Sequence, residues 1–237
     1  MYGAYDYGLQ LENEDVSIAV EKKGGFLKYS RFLKQKNEYV EKVLASDTGR
    51  IIINPVEPLN LPKEITKYLE IEFEPIVVEP SSHKKVYLKF PVEIGVFATT
   101  KKSIDILDIF TLTNPKYSLY GPPDSGVICR WYRSDVFSDL PKTDPLKEGI
   151  IELHLQNTTH EWVEIKRVVF ESFGMKIYYG EFVSMIAEMK IVSKVVAETD
   201  FVNKPIKKGM KKALELHTAR RIPVVERKGF LMEWGLK

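Results

Sequence analysis

Residues 114–135, NPKYSLYGPPDSGVICRWYRSD, decide how this chain is read. Two aromatic runs, residues 117–120 and 127–133, stand on either side of a turn at residues 121–126 that holds two glycines and two prolines. Tyrosine and tryptophan suit a pleated, half-buried surface, whereas glycine and proline interrupt it, so the stretch predicts two strands meeting at a turn. The same stretch contains the one cysteine of the chain, Cys129, and two arginines, Arg130 and Arg133. At the strand period of two, Cys129 shares a face with Val127 and Trp131, and Arg130 and Tyr132 take the opposite face. A cysteine between valine and tryptophan reads as a small buried hydrophobe rather than a nucleophile. The two prolines remove backbone donors from the turn, which makes it a rigid joint and a poor phosphate cradle.

Upstream, Val86, Leu88, Phe90, Val92, Ile94 and Val96 fall on one side of a run broken only by Pro91. That pattern predicts an edge strand or a strand that crosses between sheets at a bend. Leu69, Ile71 and Phe73 alternate with Glu70, Glu72 and Glu74, as in a half-buried strand whose carboxylate face is solvated. Shorter strands are expected at residues 16–20 and 26–33 around Gly24-Gly25, at 39–44, at 51–53 and at 104–112. Tyr2, Tyr5 and Tyr7, spaced by Gly3 and Gly8, read as an N-terminal strand packed on a sheet, although tyrosine with glycine can also make a ligand platform.

Downstream, a polar loop at residues 138–149 precedes strand patterns at 151–155, 162–170, 175–179, 183–191 and 195–202. Ile206, Met210, Leu214 and His217 recur at helical spacing behind Pro205, which predicts one helix over about residues 205–217, and a last strand follows at 230–234. The expectation is an all-β protein, mainly antiparallel and β-sandwich-like, in two packed halves with one C-terminal α-helix. The halves are residues 1–115 and 116–237.

The 237 residues are 44% hydrophobic and 29% charged, enough for a core without staples, and no apolar run is long enough for a membrane span. The N-terminus has neither the basic nor the apolar region of a signal peptide, and a lone cysteine fits a reducing compartment, so the expected localisation is cytoplasmic. Net charge is only +2, but residues 204–228 carry nine lysines and arginines against Glu215 and Glu226, a local +7 that leaves −5 elsewhere. The expected helix and the loop after it therefore form a basic pole on an acidic body. Lys207, Lys208, Lys211, Lys212, Arg220 and Arg221 are its candidates for binding an anionic partner, whether a protein surface or RNA or DNA.

The segments INPVEPLNLPKEI, YLEIEFEPIVVEP, KFPVEIGVF, YSLYGPP, GVICRWYRS, FGMKIYYG and MEWGL span nearly the whole chain. In them the sequence resembles an archaeal family known as domain of unknown function 432. The resemblance implies a cytoplasmic archaeal protein and carries no activity, ligand or catalytic residue to positions here.

Catalytic and metal signatures are weak. No phosphate-binding loop or dinucleotide fingerprint occurs. His154 and His160, with Glu152 and Glu161, match no metal-ligand spacing and read as the wet side of a strand, so no metal or cofactor is expected. Carboxylate pairs such as Asp105 and Asp108 resemble solvated strand faces as much as glycosidase machinery. No catalytic residue is assigned. Tyr117, Tyr120, Arg130, Tyr132 and Arg133 are the candidate ligand-binding residues of the central hairpin. The expected function is a non-enzymatic binding or interaction protein that could pair strand edges in a homodimer. The alternatives are a hydrolase acting on a carbohydrate or similar polar substrate, and a nucleic-acid binder using the basic C-terminal helix.

Overall fold

The strand pattern of the sequence becomes nineteen strands in a computed structural model that describes residues 1–45, 49–59, 66–100, 103–219 and 229–237. The first part of the chain gives β1 (Gly3–Tyr5), β2 (Gln10–Glu12), β3 (Val16–Lys23), β4 (Phe26–Leu33), β5 (Glu38–Leu44) and β6 (Arg50–Val56). Next come β7 (Tyr68–Val78), β8 (Ser82–Pro91), β9 (Glu93–Thr99), β10 (Ile104–Phe110), β11 (Lys116–Tyr120) and β12 (Val127–Arg133). The remainder supplies β13 (Glu148–Asn157), β14 (Val163–Glu171), β15 (Tyr178–Tyr179), β16 (Val183–Ser193), β17 (Val196–Val202), β18 (Lys211–Lys212) and β19 (Phe230–Met232). A 3-10 turn at Ser172–Gly174 and one four-residue helical turn, α1 (Leu216–Ala219), are the helical elements among the described residues.

Four sheets result. One has the order β1-β6-β9-β10, and a meander of β2-β3-β4-β5 faces it. Gly24 and Gly25, at φ +57° and +84°, turn β3 into β4 in the left-handed conformation that a two-residue hairpin loop requires. Ile18, Val20, Leu27 and Tyr29 from the meander bury against Ile51, Ile53, Ile94 and Val96 from the other sheet, forming one core. The third sheet has the order β11-β12-β7-β14, and the fourth runs β18-β15-β16-β13-β8 with β17 and β19 added alongside β16. Between these two lies a larger core that includes Leu69, Ile71, Phe90, Leu153, Val169 and Met185. Pairing is mixed: β12 with β7 and β13 with β16 run parallel, and the other ladders are antiparallel.

The run around Pro91 does what the pattern predicts. Its first part, β8, is an edge strand on β13, and after Val92 its second part, β9, lies between β6 and β10 in a different sheet. Proline ends the first ladder, and the bend hands the same apolar face from the larger core to the smaller. Accordingly β7 and β8, though they precede residue 115, belong to the core built mainly from later strands.

Two expectations are corrected. The carboxylate face of β7 is not a solvated surface: Glu70 is buried and Glu72 half-buried, and only Glu74 is exposed. Because β7 lies inside its sheet, Glu70 is out of water, and Arg167 of β14 neutralises it at 2.7 Å while Ser118 of β11 donates a hydrogen bond to it. The helix expected over residues 205–217 does not form. Residues 206–209 bend and turn, Gly209 sits at φ +93°, and Lys211–Lys212 pairs as β18 with β15. Ile206 and Met210, whose spacing looked helical, pack instead on the buried cluster of Tyr87, Ile150 and Phe182. Burial against an existing sheet outweighs the weak propensity of a short segment.

Candidate functional site

The short ladder of β15 with β18 is the hinge of the candidate site, because side chains alternate across it. Tyr179 lies opposite Lys211 and shares a face with it; Tyr178 lies opposite Lys212, so that pair takes the reverse face. The two faces look onto different polar environments.

The Tyr179 and Lys211 face borders a cleft of about 470 Å³. Five stretches of the chain wall it: Met1 and Tyr2, residues 11–13, residues 144–146, residues 179–180, and Gly209 with Lys211. The Tyr2 ring stands edge-on to Tyr179 with centroids 5.6 Å apart, and its hydroxyl donates to the Pro145 carbonyl at 2.9 Å. Burial, with Asp144 adding to it, raises the Tyr2 phenol well above its ordinary value. The turn at Asn13 is made by its own side chain, whose oxygen accepts the N–H groups of Asp15 and Val16 at 2.9 and 2.8 Å. Both carboxylates of the cleft have lysine partners. Lys34 meets Glu12 at 2.7 Å, and Lys147 lies 2.7 Å from Asp15 and 3.6 Å from Asp144. The hydrogen bond and charge of Lys34 hold the Glu12 carboxyl below its ordinary range.

On the reverse face, Glu215 gathers three donors: Lys212 at 2.8 Å, Lys176 at 3.0 Å and His217 Nε2 at 3.0 Å. Burial pushes the Glu215 carboxyl up, but the hydrogen bonds from Lys212 and Lys176 prevail and hold it low. His217 is lowered, first by burial and then by the two lysines against the pull of Glu215, and its Nδ1 is buried with no hydrogen-bond partner. Beside this cluster, Glu57 at the end of β6 accepts the N–H of Leu216 at 3.3 and 3.4 Å. Its burial raises the carboxyl to about 7, with the nearby Glu215 charge adding to the rise. No group of three or more His, Cys, Asp and Glu side chains among the described residues could hold a metal ion.

The five candidates of the central hairpin do not line the cleft. Arg130 is buried opposite Tyr117, its guanidinium carbon 5.8 Å from that ring, and its Nε and Nη1 have no hydrogen-bond partner. Burial lowers its pKa, against the charges of Glu93 and Tyr117. The Tyr120 hydroxyl is a staple for the C-terminus: it donates to the Trp234 carbonyl at 2.9 Å and accepts the N–H groups of Glu233 and Trp234 at 3.1 and 3.0 Å. Tyr132 donates to Glu148, and Arg133 pairs with Glu72 and Glu74. Cys129 is fully buried, and burial, with Glu70 adding, pushes its thiol up to about 12.

The basic residues divide as well. Lys211 faces the cleft, Lys212 joins the Glu215 cluster, Lys207 pairs with Glu181 at 3.2 Å and Lys208 is exposed. Arg220 and Arg221 lie outside the described residues. Among the described histidines, His154 contacts Glu152 at 2.8 Å, and Lys85 and Tyr87 also reach that carboxylate. Tyr179, Asn13 and Asp144 were missed by sequence reasoning, because no local signal says that residues so far apart meet. The tyrosine-glycine N-terminus was the one legible hint.

Residues 1–234 match the family model described as "Protein of unknown function (DUF432)". No curated protein and no solved structure matches the chain.

Proposed function

We propose that this chain, which belongs to the DUF432 family over residues 1–234, is a non-enzymatic binding protein whose ligand enters the cleft between Tyr2, Asn13, Asp144 and Tyr179. The cleft itself carries the reading. Its volume of about 470 Å³ falls in the ~300–1,000 Å³ range of small-molecule sites, and its walls combine aromatic rings with a few convergent polar groups. The contact of the Tyr2 ring with Tyr179 and the hydrogen bond of Tyr2 to Pro145 tie three lining residues together, so the surface is formed before a ligand arrives.

The hydrolase alternative has less support at this site. A glycosidase needs one carboxyl held above its ordinary range as proton donor, and Lys34 pushes Glu12 the other way. The nucleic-acid alternative relied on a continuous basic helix, and Lys207 and Lys212 are instead engaged by Glu181 and Glu215.

Gly180 offers the test. A Cβ there would meet only Met210 at 3.8 Å, so the backbone accepts a side chain at a residue that lines the cleft, and Gly180→Leu supplies one. Compounds screened by thermal shift should include some that raise the melting temperature by about 5–10 °C when present at ~100 times their dissociation constant. That rise should vanish in Gly180→Leu. Ligands that stabilise parent and variant equally would refute the cleft as the binding site.

A further inference from the structure

The hydrogen-bonding groups of the cleft are engaged unevenly, and this bears on the ligand. Its acceptors are largely taken. The Glu12 carboxylate meets Lys34 at 2.7 Å, and the Asp144 carboxylate accepts the Leu146 N–H at 3.0 Å and lies 3.6 Å from Lys147. The Asn13 side-chain oxygen accepts the N–H groups of Asp15 and Val16, the Asn13 carbonyl accepts Lys34, and the Pro145 carbonyl accepts the Tyr2 hydroxyl. The groups left over are donors. Neither the Lys211 ammonium nor the Asn13 amide nitrogen has a partner among the described residues. Met1 lines the same cleft, and its amine pairs with no described carboxylate. A cation entering here would compete with Lys34 and Lys147 for carboxylates they already hold, whereas an anion finds an ammonium with no other partner. Much of the remaining lining is apolar, from Leu11, Pro145, Leu146 and the ring of Tyr179. Such walls are stabilised when an apolar body covers them.

Resting on the proposal that the cleft binds a small molecule, we infer that its ligand is a small organic acid bound as its anion, with the carboxylate held by Lys211 and an apolar body against Leu11, Leu146 and Tyr179. The Asn13 amide is a further donor within the same cleft. The charged end selects the ligand, and the apolar body supplies most of the buried area. Because Lys211 is exposed, its attraction is screened, and the affinity falls as salt rises.

The experiment is calorimetric titration of the full chain at neutral pH with phenylacetate, phenylacetamide and phenethylamine, which share a shape and differ in charge. Octanoate tests a chain in place of the ring, and acetate tests the charged end alone. Phenylacetate or octanoate should bind about tenfold or more tightly than acetate and the two uncharged or cationic probes, and more weakly as salt rises. Lys211→Met, which keeps an apolar stem and drops the charge, should weaken the acid about tenfold, and Lys211→Arg should leave it within about threefold. Gly180→Leu should abolish binding, and the melting temperature of each variant reports whether it folds. If the amide or the amine binds as tightly as the acid, with the same sensitivity to Gly180→Leu, the anion inference is overturned while the binding reading stands. Acid binding that is unchanged in Lys211→Met overturns it as well. If no acid binds in a way that Gly180→Leu removes, the inference is overturned, and the broader screen decides the binding reading separately.

Discussion

Glu57 should make the protein less stable as pH rises through neutrality. Its carboxyl is buried at the end of β6, close to Glu215, and rises from 4.5 to about 7 in the folded chain. Between those values the folded state holds a proton that the unfolded state has released, so each step up in pH favours unfolding. Below 4.5 both states are protonated and above 7 both are ionised, so the loss is confined to that window. At ~1.4 kcal/mol per tenfold change in proton affinity, Glu57 alone removes roughly 3 kcal/mol across it. Glu57→Gln keeps an oxygen for the Leu216 N–H and cannot ionise. The substitution should be near neutral at pH 4.5 and stabilising by about 2–3 kcal/mol at pH 8, or about 4–12 °C in melting temperature for a chain of this size. A carboxylate held low away from this pair, such as Glu12, adds stability with rising pH in both proteins and cancels in the difference. Denaturant unfolding of both proteins at several pH values measures that difference directly. A constant offset between them across pH 4.5–8 would show that Glu57 has the same proton affinity folded and unfolded and that its burial does not control its proton.

Other perturbations test the frame around the site. Arg167→Ala strands Glu70 without its 2.7 Å partner in the interior and should cost about 3–5 kcal/mol by denaturant unfolding, whereas replacing both residues with apolar ones of similar volume should cost much less. Tyr120→Phe leaves two N–H groups and the Trp234 carbonyl without their partner, so a loss of about 1–3 kcal/mol is expected, with faster amide exchange at Glu233 and Trp234. Gly149→Ala places a Cβ 2.3 Å from the Phe90 ring and should destabilise by about 1–3 kcal/mol. Cys129, buried with its thiol pushed up to about 12, should react with a thiol-alkylating reagent only at the rate of unfolding; prompt labelling at neutral pH would contradict its placement.

Much of the architecture was legible because strand pattern is local. The Gly24-Gly25 turn, the alternation in β13 and the broken run about Pro91 each carry their meaning within ten or so residues, and the pairing follows them. What surrounds a strand is not local. The three glutamates of β7 look alike in sequence, yet Glu70 is buried and Glu74 exposed, because burial depends on β12, β14 and Arg167. Helical spacing at Ile206, Met210 and Leu214 misled for the same reason: those side chains answer to Tyr87, Phe182 and β6, and Gly209 breaks the run they suggested. The cleft was hidden most completely. Tyr2 meets Pro145, 143 residues further along the chain, and Tyr179 beyond it, and no spacing within any of these segments announces the meeting.

The bend at Pro91 also sets the order in which the chain can be completed during synthesis. The strands of the smaller core are all present once β10 has been made, but β7 and β8 wait for β12, β13 and β14. At ~5–20 residues per second that wait is on the order of ten seconds. Throughout it, a finished amino-terminal sandwich carries an apolar loop whose strands have no partners. Such an intermediate is a ready target for chaperones and, where they are lacking, a point of entry for aggregation during overexpression.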